Sequence, residues 1–228
     1  MPLIGLSGWK TGDNSYGANI AYIQFLSGFG NVRILTPTEP IDDRIDLIVI
    51  PGGADVDPLR YGAIPSFYTS KPDSMKEYFD TVILPQYIKL GTPVFGICRG
   101  IQSIAVLFGA KLIQHMYHET NEKSRSEKVH SIDLLPPFKN EFMKDNPHVF
   151  SIKVNSMHHQ CVSNHNFPEE LEVIGVYRSK NKFDYIEVIR HRKYPIYAVQ
   201  YHPEELDEDV LSDYIITELL SKSKNLKE

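Results

Sequence analysis

The sequence has 228 residues, a formal net charge of −5, 42% hydrophobic and 11% aromatic residues, and two cysteines. This length suits one large hydrophobic core, and so mild a charge argues against a nucleic-acid surface or a basic membrane patch. The first ten residues lack a basic region before a long apolar run, no later stretch approaches the ~18 apolar residues of a membrane span, and Cys98 and Cys161 make no disulfide framework, so one domain over 1–228 in a reducing, cytoplasmic setting is expected.

Leu3 to Leu6 reads as a first strand, followed by a Gly/Asn/Ser/Asp-rich loop from Ser7 to Ser15 that contains the only Trp. Ile20, Ile23 and Leu26 mark a helix from about Gly17 to Ser27, and Val32 to Leu35 is a second strand. The near-continuous apolar run Ile45 to Ile50 suits a strand covered on both faces, as in a parallel sheet. It ends in Pro51-Gly52-Gly53-Ala54-Asp55-Val56-Asp57-Pro58, a loop suited to close backbone approach. A helix is predicted from about Asp73 to Leu90, kinked or interrupted at Pro85.

Val94, Phe95 and Ile97 then form a short strand, while Ile101, Ile104, Ala105 and Phe108 recur at helical spacing, so the chain turns from strand to helix at Cys98. Gly96 and Gly100 flank that turn in the pattern of a nucleophile elbow. A free cysteine is usually a small buried hydrophobe. Here the positive end of the following helix favours the thiolate, and the turn exposes it. Strands and helices alternate with short connections through this half of the chain, which predicts a doubly wound α/β sheet, mainly parallel and flanked by helices, with sites beyond the carboxyl ends of the strands.

Beyond Leu112 the pattern changes. Tyr117 to Lys128 is charged and polar, Pro136 to Pro147 reads as loop, and strand-like runs at Val129–Leu135 and Val149–Val154 read as an insertion within the same domain. Further strands are predicted at Leu171–Tyr177, Phe183–Ile189 and Ile196–Gln200, then a last helix from about Asp207 to Leu220 and a frayed Lys-rich tail.

The strand before Gln200-Tyr201-His202-Pro203-Glu204 ends in a loop carrying His, with a carboxylate two residues on and a Pro between them. His202 can take the proton of a thiol while Glu204 fixes its tautomer, which completes a triad with Cys98. A third cluster, Asn155-Ser156-Met157-His158-His159-Gln160-Cys161, pairs two histidines. Adjacent residues on an extended segment point opposite ways and no third ligand lies at helpful spacing, so a polar wall for substrate is expected there and a metal is not. Cys161 has neither a glycine turn nor a following helix and reads as core.

Three separated motifs, taken together and in this order, resemble the class I glutamine amidotransferases, most closely the γ-glutamyl hydrolase branch (peptidase family C26). They are Gly-Ile-Cys98-Arg-Gly-Ile-Gln, the Pro51–Pro58 loop, and Gln-Tyr-His202-Pro-Glu204. The resemblance covers nearly the whole chain and implies a flavodoxin-like fold and hydrolysis of a γ-glutamyl amide without metal or organic cofactor. It implies backbone N–H groups of Gly53 and Arg99 as the oxyanion hole, and Gly52, Gln102, Ser156, His158 and His159 as substrate contacts. The Arg99 side chain either assists at the substrate or pairs with a structural carboxylate. Lys76, Glu77 and Asp80 stand in place of the branch's Arg-Asp-x-x-Glu pattern, Ala105 and Ala110 where Asn and Gly are common, and the loop from Ser7 to Tyr16 is short. The partner expected is a small γ-glutamyl molecule, with a homodimer as a further expectation. Two rival readings are a glutaminase subunit passing ammonia to a synthase partner and a catalytically silent binding protein on the same fold.

Overall fold

The computed structural model describes residues 1–116, 126–179 and 183–227, so the charged stretch read at 117–128 lies outside it as far as residue 125. Strand β1 (Leu3–Ser7) is followed by the hairpin β2 (Trp9–Gly12) and β3 (Ser15–Gly17), then by α1 (Ile20–Ser27), β4 (Asn31–Leu35) and β5 (Leu47–Ile50). Helix α2 (Ser74–Tyr78), a π-helical segment (Phe79–Ile83) and α3 (Leu84–Lys89) lead to β6 (Val94–Ile97) and α4 (Arg99–Leu107). The chain continues through β7 (Leu112–Ile113), β8 (His130–Leu134), α5 (Phe138–Asp145), β9 (Ile152–Val154) and β10 (Cys161–Val162). It closes with β11 (Leu171–Arg178), β12 (Asp184–His191), β13 (Ile196–Val199) and α6 (Val210–Lys227).

Nine strands form one sheet in the order β4-β1-β5-β6-β13-β12-β11-β8-β9. The first five run parallel, and from β13 onward each neighbour is antiparallel. Alternation across the pleat explains the continuous apolar run in β5. Leu47 and Val49 pack with α1, α5 and α6, whereas Ile48 and Ile50 pack with α3 and α4 on the other face. The sheet is therefore doubly wound, as the strand–helix alternation predicts.

Several expectations need correction. Pro136 to Pro147 is not all loop: it contains α5, whose Phe138 and Phe142, one helical turn apart, are both fully buried. The strands read as an insertion within the domain, β8 and β9, lie at the edge of its main sheet, which leaves that reading standing. The stretch Ser7 to Ser15 forms most of a hairpin rather than an open loop. The last helix begins at Val210 and continues through the Lys-rich tail to Lys227. Pro85 does interrupt its helix, as expected. The π-helical turn immediately upstream accommodates the ring, and Gln86 Nε2 donates to the Val82 carbonyl there at 2.9 Å.

Candidate active site

The Cys98 turn lies at the carboxyl end of β6 and opens α4. Cys98 is one of two non-glycine residues at positive φ among the described residues, with φ 54° and ψ −107°. Such a conformation costs about 1–3 kcal/mol and persists only where its surroundings impose it. They do so here. The Cys98 N–H donates to the Val199 carbonyl at 2.8 Å, and a Cβ on Gly100 would come within 2.2 Å of the Ile50 carbonyl oxygen. A Cβ on Gly96 would meet Ala198 Cβ at 2.8 Å and the Gly100 carbonyl carbon at 2.9 Å. Both glycines are thus required for β5, β6, β13 and α4 to approach as closely as they do.

His202 follows β13, the neighbour of β6, and so arrives beside Cys98. Its Nδ1 lies 2.6 Å from Glu204 Oε1, with Pro203 between them opening a short 3₁₀ turn. Burial opposes a charged imidazole at this position. Charge and hydrogen bonding from Cys98, and then from Glu204, outweigh it and push His202 up to about 11. Asn155 holds the His202 backbone from both sides: its Nδ2 donates to the carbonyl at 2.8 Å and its Oδ1 accepts from the N–H at 2.9 Å. Tyr22 Oη approaches Nδ1 at 3.5 Å.

The remaining predicted residues surround this centre. Gly52 packs so closely that an added Cβ would meet Tyr22 Oη at 2.9 Å, His202 Cε1 at 3.0 Å and Cys98 Cβ at 3.6 Å. Gly53, at φ +153°, faces the Lys76 stem and Arg99 Cδ. The Arg99 side chain is 2% exposed and forms ion pairs with Asp80 and Glu77, so of its two readings the structural pairing is the one observed. Ser103 donates to Asp80 at 2.7 Å, and Arg60 pairs with Glu77 at 2.9 Å. Burial works against the Asp80 carboxylate, but Arg99, Lys76 and Ser103 hold it below the usual range. Lys76, Glu77 and Asp80 thus supply the foundation beneath the turn.

Gln102, also buried, donates through Nε2 to the Gln160 carbonyl at 3.1 Å and to Gln200 Oε1 at 3.3 Å. Ser156 is fully buried. His158 turns inward with Nδ1 2.9 Å from the Gln160 carbonyl, and burial pushes its imidazole down. His159 turns the other way, its Nε2 3.2 Å from both oxygens of Asp55 and its Nδ1 3.3 Å from His115 Nδ1. That contact joins the loop after β5 to the segment carrying Asn155. Cys161 is fully buried in β10, where burial pushes its thiol well up, as a core cysteine requires.

Sequence reasoning passed over Tyr22 and Asn155. Asn155 lies at the head of the histidine-pair cluster of residues 155–161, whereas Tyr22 is an ordinary core-facing position of α1 whose hydroxyl acquires its partners only through the fold. Among the described residues no helix is long and apolar enough to cross a membrane, and no group of three or more His, Cys, Asp or Glu side chains could hold a metal ion.

The comparisons agree with this architecture. A protein from Thermoplasma acidophilum described as a "putative gmp synthase subunit a" superposes with a TM-score of 0.64 at 19% identity, covering 100% of this chain and 96% of its own. The "Putative glutamine amidotransferase-like protein YvdE" of Lactococcus lactis is 25% identical over 81% of this chain and 79% of its own length. Anthranilate synthase component 2 of Saccharolobus solfataricus is 27% identical over 73% and 78%. The doubly wound sheet is therefore the fold of the class I glutamine amidotransferases. Within that class the chain belongs to the Peptidase C26 family, whose model matches residues 7–204, and it is an enzyme of hydrolase or amidotransferase type.

Proposed function

We propose that the protein hydrolyses the γ-amide bond of a γ-glutamyl compound, with Cys98 as nucleophile, His202 as acid and base, and Glu204 as the group that orients His202. The observation that carries this reading is the placement of His202 between the Glu204 carboxylate and the strained Cys98 turn, where both neighbours favour the protonated imidazole. Glu204 occupies Nδ1, so the thiol is served by Nε2. The sulfur bonds to the γ-carbonyl carbon, and the oxygen takes up the displaced electron pair facing the Gly53 and Arg99 N–H groups. His202 passes its proton to the amine nitrogen as the C–N bond breaks, leaving a γ-glutamyl thioester. Water then gives a proton to the same imidazole as its oxygen bonds to the thioester carbon, and the C–S bond breaks to release glutamate and return the sulfur to the thiolate beside the protonated imidazole.

Gly52, Gln102, Ser156, His158 and His159 are proposed to line the glutamyl pocket. The relative named as a synthase component supports a second reading, in which the same chemistry releases ammonia for a partner protein. Screening γ-glutamyl amides, peptides and glutamine for glutamate release by the purified chain separates the two. Turnover of γ-glutamyl amides by the chain alone is expected. Glutamine hydrolysis that appears only on adding a synthase would replace the hydrolase reading with the second.

A further inference from the structure

The Pro51–Gly52 peptide is held at both ends by side chains that take no part in breaking the bond. Its carbonyl accepts a hydrogen bond from Lys76 Nζ at 3.2 Å, and its N–H donates to Tyr22 Oη at 3.0 Å. A peptide unit is a rigid plane, so these two bonds fix its rotation. The sequence Gly52-Gly53 sets almost no conformational preference of its own, and Gly53 adopts φ +153°. The orientation of this loop must therefore come from outside it.

Both holding groups are themselves secured. Lys76 is 1% exposed, an expensive place for an ammonium; burial and the Arg99 charge push it down to about 7, against the opposing charges of Asp80, Asp73 and Cys98. Its Nζ lies 5.5 Å from the centroid of the Trp9 ring, which meets the Tyr22 ring at 6.0 Å and 78°. Trp9 thus touches both arms. The Lys10 N–H donates to Asp73 Oδ2 at 3.2 Å, while Asp73 Oδ1 caps α2 by accepting from Met75 and Lys76 N–H. The hairpin carrying Trp9 is thereby tied to the helix carrying Lys76.

We propose that Trp9, Tyr22 and Lys76 are positioning residues, a clamp that fixes the Pro51–Gly52 peptide and so anchors the start of the loop that presents the Gly53 amide to the oxyanion. The oxyanion role rests on the hydrolase reading above; the clamp itself does not. Iodoacetamide alkylates a thiol by displacement without forming an oxyanion, so it reports Cys98 alone. Three readouts are taken for wild type, Lys76→Met and Tyr22→Phe: turnover of γ-glutamyl-p-nitroanilide, alkylation of Cys98 by mass spectrometry, and hydrogen–deuterium exchange of the Gly52 amide by NMR. Lys76→Met is expected to lower kcat about tenfold or more, to leave KM within about twofold, to slow alkylation of Cys98 several-fold less than turnover, and to speed Gly52 exchange. Unchanged kcat and exchange would overturn the clamp, as would turnover and alkylation falling in parallel. If Lys76→Met does not fold, Tyr22→Phe, which keeps the ring against Trp9, decides by exchange: faster exchange supports the clamp and unchanged exchange overturns it. A wild type that is alkylated at Cys98 but turns over no γ-glutamyl amide would remove the hydrolase reading, and Gly52 exchange in the two variants would still decide the clamp.

Discussion

The parallel and antiparallel halves of the sheet serve the site in different ways. In the parallel half, β5, β6 and β13 end side by side, and each end continues directly into a piece of the site: the Gly52-Gly53 loop, the Cys98 turn and His202. The antiparallel half, β12-β11-β8-β9, contributes mainly support. It carries α5 against the core and leads into Asn155, which grips the backbone of His202. The proposed nucleophile, base and oxyanion loop thus follow parallel strand ends, and several of the groups that hold them come from contacts distant in sequence. Changes in the first half should therefore damage chemistry, and changes in the second should damage stability first.

The largest expected effect is on the chemical side. Cys98→Ala should lower turnover by about 10³-fold or more, with the circular dichroism spectrum unchanged, because triad members act as a unit. Glu204→Gln should cost less than His202→Ala, on the order of 10–100-fold, since it removes an orienter and leaves the base. The reverse order in steady-state kinetics would break the assignment. The two halves can also be compared directly through glycine. Gly100→Ala sets a Cβ 2.2 Å from the Ile50 backbone oxygen, whereas Gly175→Ala meets the methyls of Val188 and Ile132 at 2.8–2.9 Å. Gly100→Ala should therefore destabilise by about 3 kcal/mol or more and disable the turn, and Gly175→Ala should cost less and spare kcat, as denaturant titration and kinetics would show. In the antiparallel half, Phe138→Ala should lose about 3–5 kcal/mol of stability while the folded enzyme keeps its kcat.

A smaller effect concerns pH. Lys76 is held at about 7 against an ordinary 10.5, so between those values the unfolded chain retains a proton that the folded chain has released. Stability linked to this group therefore rises with pH across that window, and its full cost is present below it. Lys76→Met should stabilise by about 1–4 kcal/mol near pH 6, and the gain should shrink as pH approaches 10 in thermal melts. His202 has the opposite sign. Raised to about 11 from 6.5, its contribution is complete below 6.5 and is lost as pH rises toward 11.

The same division explains what could be read from the sequence. The Cys98 turn announces itself locally, because glycines two residues either side of a cysteine at a strand–helix switch have few other uses. His202-Pro203-Glu204 is equally compact. Helix α5 was hidden between Pro136 and Pro147, although Phe138 and Phe142 carried its spacing. Hairpin β2–β3 reads as loop by composition, since its strands are short and rich in Gly and Ser. Tyr22 and Lys76 are harder still. Each meets the Pro51–Gly52 peptide across a separation of 25 to 30 residues, and no local pattern records that contact.

The central claim is that Cys98 carries the glutamyl group through a thioester. Acid quenching of the enzyme during turnover of γ-glutamyl-p-nitroanilide, followed by peptide mass spectrometry, tests it most directly. A γ-glutamyl adduct on the peptide containing Cys98, absent in Cys98→Ala, is the predicted result; turnover with no adduct, or with the adduct on Cys161, would contradict it.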